Sequence, residues 1–318
     1  MLLESFKITG SGVGQILLLG GLGYFLLKRN ILSGEGLSSI SRIVIEITLP
    51  ALMFCQLVKD FSFTKYPDWW VFPLISIAIT IAGLGLGALF MGFIRGTKQK
   101  LQFINLIAFQ NSGYLPLALL AALLPADKIG EMFIYLFLFL LGFNLIMWSF
   151  GVYMLTFTRT KKFELGSLFS PPVIATLAGL AVIFLGWDRF LPGLVMKPLR
   201  LVGDCTLPLA MIVVGANIAE VKVGRIDKKA MALVLLAKLV ILPALGLFLM
   251  LKFAVPELFG LLVIIQLAMP SATSLSVITS HYKQEDLLIS QGIFYSHIVS
   301  IVTIPVFLSL YLARVMIQ

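Results

Sequence analysis

The stretch FINLIAFQNSGYLPLALLAALL, residues 103–124, is apolar enough to cross a membrane but is interrupted at its centre by a polar run. That run consists of Gln110, Asn111, Ser112, Gly113 and Tyr114, and Pro116 follows it. Proline removes a backbone donor and clashes with the preceding turn, and glycine weakens a helix, so we predict that the helix unwinds here. Irregular backbone at membrane depth is tolerated only where protein buries it or a watery cavity adjoins it.

A second stretch, FGLLVIIQLAMPSATSLSVITS at residues 259–280, has the same organisation about 160 residues later. Its polar break consists of Pro270, Ser271, Ala272 and Thr273. Two broken helices in equivalent positions of two halves are typical of a transporter's binding site. Half-helix N-termini that point inward offer unpaired N–H groups and positive dipole ends, so the pair predicts an anion site, with the Asn111 amide and the Ser271 and Thr273 hydroxyls as further donors.

The composition of the whole chain agrees with a membrane protein. Of 318 residues, 59% are hydrophobic and only 12% are charged, about half the charge of an average soluble domain. A span needs about 20 apolar residues, and ten segments qualify. These segments are 11–28, 40–58, 69–93, 103–124, 132–157, 172–188, 199–219, 230–252, 258–280 and 288–313. We therefore predict an all-α integral membrane protein with ten transmembrane helices and the lipid bilayer as its surroundings.

An internal repeat predicts how the ten spans are arranged. RIVIEITLPALM at 42–53 aligns without gaps to RLVGDCTLPLAM at 200–211, in spans 2 and 7. Each half then holds five spans, and an odd number forces the halves into opposite orientations. We place the boundary in the polar link near the middle of the chain, which gives a first repeat at 1–162 and a second, inverted repeat at 163–318.

Basic residues predict the orientation. Lys and Arg are more frequent in the links after odd-numbered spans than at the termini and in the other links. Under the positive-inside rule the richer links face the cytoplasm, so both termini lie on the outer face of the cell membrane. The net charge of +9 is spread over short links, and no soluble domain exists to hold a nucleic-acid footprint.

Four ionisable residues lie within the apolar spans: Glu46, Asp204, Lys238 and His297. Charge in a bilayer is costly, so each is a candidate for proton or ion coupling. Arg42 and Arg200 stand four residues before the two acids, so a structural ion pair is the alternative for each. A buried Lys238 pairs with an acid, pairs with an anionic substrate, or loses its proton, and His297 either relays protons or packs as a hydrogen-bonded histidine.

Two further residues are candidates for substrate contact. Met53 follows the mid-span Pro50 and offers a soft surface, although a kink that shapes a scaffold helix explains the proline equally well. Asn144 in span 5 either joins helices by a hydrogen bond or contacts substrate.

Several classes of protein are excluded. The chain has no Walker A, HExxH, GxSxG or DxDxDG pattern, so we expect neither an enzyme nor an ATP-driven pump. Cys55 and Cys205 lie in apolar runs and without metal-binding spacing, so no metal site and no cofactor are predicted.

The segments TLPALMF (48–54), FQNSGYLPLALL (109–120) and AMPSATSLSVITSHYKQEDLLISQGIFYSHIVSIVTIPVF (268–307) resemble the auxin efflux carrier family. That family includes plant PIN-formed auxin exporters and bacterial malate and malonate permeases. The resemblance implies a five-plus-five arrangement with two broken, crossing helices in spans 4 and 9, similar to sodium/proton antiporters and bile-acid symporters. It also implies a scaffold of spans 1, 2, 6 and 7, and a moving transport unit of spans 3–5 and 8–10.

The resemblance further implies that Asn111 contacts a substrate carboxylate and that Pro270 opens the second crossover. The plant members commonly carry a proline before that asparagine, whereas this chain has Gln110. The leading hypothesis is a secondary transporter of a small organic anion, auxin-like or a dicarboxylate, working by alternating access. The alternatives are a cation/proton antiporter of the same fold and a transporter-like membrane receptor. The substrate, the direction, a coupling proton or sodium ion, and a homodimeric assembly stay open.

Overall fold

The computed structural model describes residues 2–156, 169–221, 227–253, 255–281 and 287–315. The described residues form twelve α-helical segments. These are α1 Leu2–Lys28, α2 Gly34–Asp60, α3 Val71–Phe93, α4 Thr97–Ala108, α5 Tyr114–Leu123, α6 Ala126–Thr156, α7 Pro171–Phe184, α8 Gly193–Glu220, α9 Lys228–Lys252, α10 Glu257–Ala268, α11 Ser274–His281 and α12 Leu287–Val315.

Seven of these helices are long and apolar enough to cross a membrane: α1, α2, α3, α6, α8, α9 and α12. No β-strand occurs among the described residues, which confirms an all-helical, multi-pass membrane protein. Predicted span 6 corresponds to the shorter α7, and predicted spans 4 and 9 are each divided into two short helices. The count of ten spans therefore stays a prediction. The predicted boundary between the repeats, at residues 162 and 163, lies outside the described residues.

The helices pack in two groups. In the first group, α1 packs against α8, and α2 packs against α7 and α8. In the second group, α3 packs against α4 and α6, and α12 packs against α4, α9 and α10. The groups meet where α1 contacts α12 and α5, and where α2 contacts α6. The division into a scaffold and a moving transport unit stays a prediction.

Helices α1 and α8 approach each other through glycine. A Cβ added to Gly215 would lie only 1.8 Å from the carbonyl oxygen of Gly20. A Cβ added to Gly23 would likewise lie 2.0 Å from the carbonyl oxygen of Ile212. Small residues of this kind let the backbones of membrane helices come close enough for extensive van der Waals contact.

Prolines shape two of the long helices. Pro50 and Pro243 each follow a wide π turn, at Val44–Thr48 in α2 and at Ala237–Ile241 in α9. A proline lacks the N–H that would bond to the carbonyl four residues earlier, and a local widening is one way in which a helix adjusts. The π turn of α9 matters for the site because it carries Lys238.

The deepest part of the core surrounds the broken helices. Every residue from 102 to 112 and from 260 to 272 is buried, including the irregular backbone between the half-helices. The long helix α6 adds a wall of buried aromatic side chains that includes Phe133, Phe137 and Phe139. The two breaks are therefore buried in protein, as irregular backbone at membrane depth must be unless it lines a watery cavity.

Candidate functional site

The two predicted breaks are present. Helix α4 ends at Ala108 and α5 begins at Tyr114, while α10 ends at Ala268 and α11 begins at Ser274. The residues that follow α4 and α10, Phe109 and Met269, have extended backbone conformations. Pro270 lacks the N–H that would continue the hydrogen bonding of α10, which explains why that helix ends just before it.

The two extended segments cross and pair with each other. The N–H of Asn111 donates to the carbonyl of Pro270 at 2.8 Å, and the N–H of Ala272 donates to the carbonyl of Phe109 at 2.9 Å. These bonds form an isolated antiparallel bridge between Gln110 and Ser271. Each break thus supplies backbone partners that the other break lacks, which removes much of the cost of irregular backbone in a dry core. We call this pairing the crossing, residues 109–113 and 269–273.

Side chains bind the carbonyls that the broken helix α4 leaves free. The Ser271 hydroxyl donates to the carbonyl of Leu106 at 2.7 Å, and the Lys238 ammonium donates to the carbonyl of Ile107 at 3.1 Å. Lys238 is only 1% exposed, and its bond to Ile107 joins the π turn of α9 to the last turn of α4. A cation at the carbonyl end of a helix is favoured by the helix dipole.

The amide of Asn111 contacts His297 of α12. The Asn111 Nδ2 and His297 Nε2 atoms lie 3.3 Å apart, and both side chains are buried. The other ring nitrogen, Nδ1, lies 2.8 Å from the carbonyl oxygen of Ile293 and must donate to it. In the neutral ring, Nε2 is then the acceptor, so the Asn111 amide uses one of its two N–H groups on His297 and keeps the other for a ligand.

Gln110 is the least satisfied residue of the crossing. Its side chain is completely buried, and neither its amide nitrogen nor its amide oxygen has a partner among the described residues. The Ser112 hydroxyl and the Gln266 amide oxygen are also buried without a hydrogen-bond partner. Buried polar groups are nearly always hydrogen-bonded, so these atoms point to a polar ligand or to bound water at the crossing.

The half-helices add positive dipole ends. Helix α5 follows Gly113 directly, with no side chain that caps its first N–H groups. Helix α11 begins at Ser274, directly after the second extended segment. The positive ends of both half-helices therefore adjoin the crossing, and helix N-termini favour anions.

Comparison with known proteins adds the family. A family model described as "Membrane transport protein" matches residues 11–166 and 155–308, which is nearly the whole chain. The chain belongs to the membrane transport protein family. This confirms, at the level of the family, the resemblance to the auxin efflux carriers, and the family is one of transporters rather than enzymes.

Curated relatives of this membrane transport protein include three plant proteins. It is 30% identical to PIN-LIKES 6 of Arabidopsis thaliana over 124 residues, or 38% of this chain and 29% of that relative. It is 21% identical to PIN-LIKES 7 over 318 residues, 77% of this chain and 80% of the relative. It spans 65% of PIN-LIKES 1 at 23% identity, with 77% of this chain aligned.

An archaeal relative is similar as well. An uncharacterized transporter of Methanocaldococcus jannaschii is 25% identical over 217 residues, which is 64% of this chain and 67% of that protein. The match covers less than a third of the length of PIN-LIKES 6, the first of the plant relatives.

Two of the predicted coupling residues lie on the surface and not in the crossing. Glu46 and Asp204 are exposed on α2 and α8. Glu46 pairs with Arg42 at 3.2 Å as one alternative predicted, whereas no salt bridge joins Arg200 to Asp204 in the part of the chain that the structure describes. Exposed pairs of this spacing contribute little, so either arrangement is physically ordinary.

Two residues that the sequence predicts as substrate contacts lie outside the crossing. Met53 is buried in the core cluster that also contains Leu57 of α2, and Asn144 is half-buried on α6. Sequence reasoning missed Gln266 and Ser296. The Gln266 amide donates to the carbonyl of Ser112 at 3.2 Å, and the Ser296 hydroxyl accepts from the N–H of Ser271 at 3.1 Å. Each is a polar residue within an apolar run, which is the signal that would have identified it.

Proposed function

We propose that this protein is a secondary transporter that moves a small organic anion of the carboxylate class across the cytoplasmic membrane by alternating access. The observation that carries the proposal is the set of donors around the crossing. A free N–H of the Asn111 amide, the unpartnered amide of Gln110 and the positive ends of α5 and α11 all belong to or adjoin the crossing. Such a set suits a carboxylate, which accepts hydrogen bonds through both oxygens.

The proposed topology has ten spans in two inverted halves. In this arrangement α4 with α5 forms span 4, and α10 with α11 forms span 9, so that the breaks occupy equivalent positions. The packing of α1 against α8, and of α2 against α7 and α8, supports a scaffold, against which the remaining helices would move. Both termini are proposed to lie outside, as the distribution of Lys and Arg favours.

A proton is the coupling ion that the site favours, and His297 is its proposed carrier. When His297 takes up a proton, Nε2 becomes a donor, and Asn111 must turn its amide oxygen toward the ring. Both N–H groups of the amide then face the ligand, and the ring adds a positive charge nearby. Protonation of His297 and binding of an anion therefore strengthen each other, which is the thermodynamic requirement for coupled movement.

Sodium is the less favoured coupling ion. In transporters with broken helices, the free carbonyls at half-helix ends commonly coordinate the coupling cation. In this chain the Lys238 side-chain nitrogen and the Ser271 hydroxyl donate to the carbonyls of Ile107 and Leu106 near the end of α4. Donors that belong to the protein thus already occupy these two carbonyls.

The cation/proton antiporter is the second candidate, and the burial pattern disfavours it. An antiporter of this fold needs an acidic side chain in the membrane interior that binds cations and protons alternately. Among the described residues no Asp or Glu side chain is buried, and Glu46 and Asp204 face outward. The buried ionisable groups near the crossing are basic, Lys238 and His297.

Uptake into proteoliposomes tests the proposal. We expect saturable uptake of labelled mono- or dicarboxylates by the full chain, accelerated by a proton gradient with the acid side outside and unaffected by a sodium gradient. Liposomes without protein are the control. Cation flux without carboxylate flux would establish the antiporter, and carboxylate binding without any flux would favour the receptor.

The role of His297 predicts a pH effect on binding. We expect the affinity of the wild-type protein for its carboxylate to rise as the pH falls, because the protonated ring adds a positive charge beside the ligand. His297→Gln, which carries no titratable proton, should make the affinity nearly independent of pH. Isothermal titration calorimetry at several pH values measures this, with His281→Gln, the other histidine of the sequence, as the control. An unchanged pH profile in His297→Gln would remove histidine coupling from the mechanism.

A further inference from the structure

A polar cavity lies at one end of the bundle, where α3 ends and α4, α9 and α12 begin. Its volume is about 670 Å³. The residues that give the cavity its polarity are Arg95, Lys98, Gln99, Gln102, Asp227 and Gln291. We call this cavity the vestibule. None of its lining residues takes part in the crossing.

The N-terminus of α4 opens on the vestibule. Helix α4 begins at Thr97, and no side chain caps it at Gly96. Helix α9 begins at Lys228, and the Asp227 carboxylate caps it. Because an uncapped helix N-terminus carries a partial positive charge, the start of α4 contributes a positive potential to the vestibule.

The Arg95 guanidinium adds to this potential. Arg95 lines the vestibule, and no salt bridge joins it to any residue that the structure describes. Among the lining residues that the structure describes, the one acid is Asp227. Its Oδ1 atom accepts from the N–H groups of Lys229 at 3.1 Å and Ala230 at 3.0 Å, so it caps α9.

An independent observation comes from the floor of the vestibule. Gln291 is only 2% exposed, and its amide nitrogen has no hydrogen-bond partner in the described chain. A buried N–H donor without a partner is costly, and a bound acceptor would satisfy it. The unpartnered atom is a donor, so it favours an anion, as the Arg95 guanidinium and the start of α4 also do.

We propose that the vestibule is a second anion site, which binds an oxyanion group, phosphate or carboxylate, between Arg95 and the amide of Gln291. The oxyanion comes either from a soluble anion or from the headgroup of an anionic lipid, since the vestibule lies where helices begin. This site does not depend on the proposed transport activity.

The vestibule and the crossing are separate sites. Gly292, next to Gln291, packs so closely against Leu106 that an added Cβ would lie 2.5 Å from the Leu106 Cδ1 atom. Leu106 is fully buried, and its carbonyl accepts from Ser271 in the crossing. The Leu106 side chain therefore stands between the two polar regions, and ligand binding in one is expected to be measurable without the other.

Thermal unfolding of the full chain in detergent tests the proposal. We expect inorganic phosphate to raise the unfolding temperature saturably, beyond the effect of sodium chloride at the same ionic strength. Arg95→Gln should weaken the apparent affinity for phosphate about tenfold or more, as the loss of one charge-assisted hydrogen bond predicts. Gln291→Leu should weaken it in the same direction. Arg189→Gln, in the exposed turn between α7 and α8, should leave it unchanged.

A second arm distinguishes the source of the oxyanion. Protein reconstituted in vesicles of phosphatidylcholine is compared with protein in vesicles that also contain phosphatidylglycerol. A stabilisation by phosphatidylglycerol that Arg95→Gln removes identifies a lipid headgroup, and a stabilisation by soluble phosphate or malonate that Arg95→Gln removes identifies a soluble anion. If none of these probes gives a stabilisation that depends on Arg95, the proposal is wrong.

Discussion

Asn111→Ala is expected to abolish binding of the transported anion while the protein stays folded. The backbone N–H of Asn111, which holds the crossing together by its bond to Pro270, is unchanged by this substitution. The amide is lost, and with it both the contact to His297 and the N–H group that is left for the ligand. Because the site is buried and dry, we expect the affinity for the carboxylate to fall by about 100-fold or more.

Direct binding measured by calorimetry, together with thermal unfolding, checks this prediction. The matched control is Asn105→Ala, since Asn105 is equally buried but donates its amide to the carbonyl of Leu101 within its own helix. We expect the control to bind normally and Asn111→Ala to unfold at nearly the wild-type temperature. Normal carboxylate binding by Asn111→Ala would show that the crossing is not the substrate site.

The second large effect is expected from Gly215→Ala in α8. The added Cβ would lie 1.8 Å from the carbonyl oxygen of Gly20, and this contact is to backbone, which cannot rotate away. Helices α1 and α8 would have to separate along their whole contact, so we expect a loss of about 3 kcal/mol in the free energy of unfolding, at the upper end of overpacking effects.

Thermal or denaturant unfolding in detergent measures this loss. Gly14→Ala is the matched control on α1, because an added Cβ there meets nothing within 4 Å. The free energy of unfolding of Gly14→Ala should equal or slightly exceed that of the wild type, since alanine favours a helix more than glycine does. Equal stabilities of the two variants would mean that α1 and α8 do not approach as closely as described.

The positions of the two breaks could be predicted from sequence because proline and glycine act locally. Pro270 and the run from Gln110 to Gly113 predict where the helices end, whatever their neighbours are. The pairing of the two breaks is different, since residues 160 apart along the chain meet only in three dimensions. That crossing was expected from the family resemblance alone, and not from spacing.

The partner of Lys238 shows a second limit of sequence reasoning. The sequence predicts that this buried lysine has an acidic partner, meets an anionic substrate or loses its proton. It does not predict the contact that the structure shows, with the backbone carbonyl of Ile107 that the broken helix leaves free. Backbone acceptors have no signature in sequence, because every residue has a carbonyl and only the fold determines which ones lack partners.

The fixed position of Lys238 has an electrical consequence. Its side-chain nitrogen is bound to α4 and would travel with the transport unit, so a protonated Lys238 gives the empty unit one positive charge. Moving one elementary charge through a membrane potential changes the free energy by about 2.3 kcal/mol per 100 mV. In the proposed cycle the loaded unit also carries the proton on His297, so with a monocarboxylate it keeps one positive charge, and voltage acts on the loaded and the empty steps in opposite directions. With a dicarboxylate the loaded unit is neutral, and voltage acts only on the return of the empty unit.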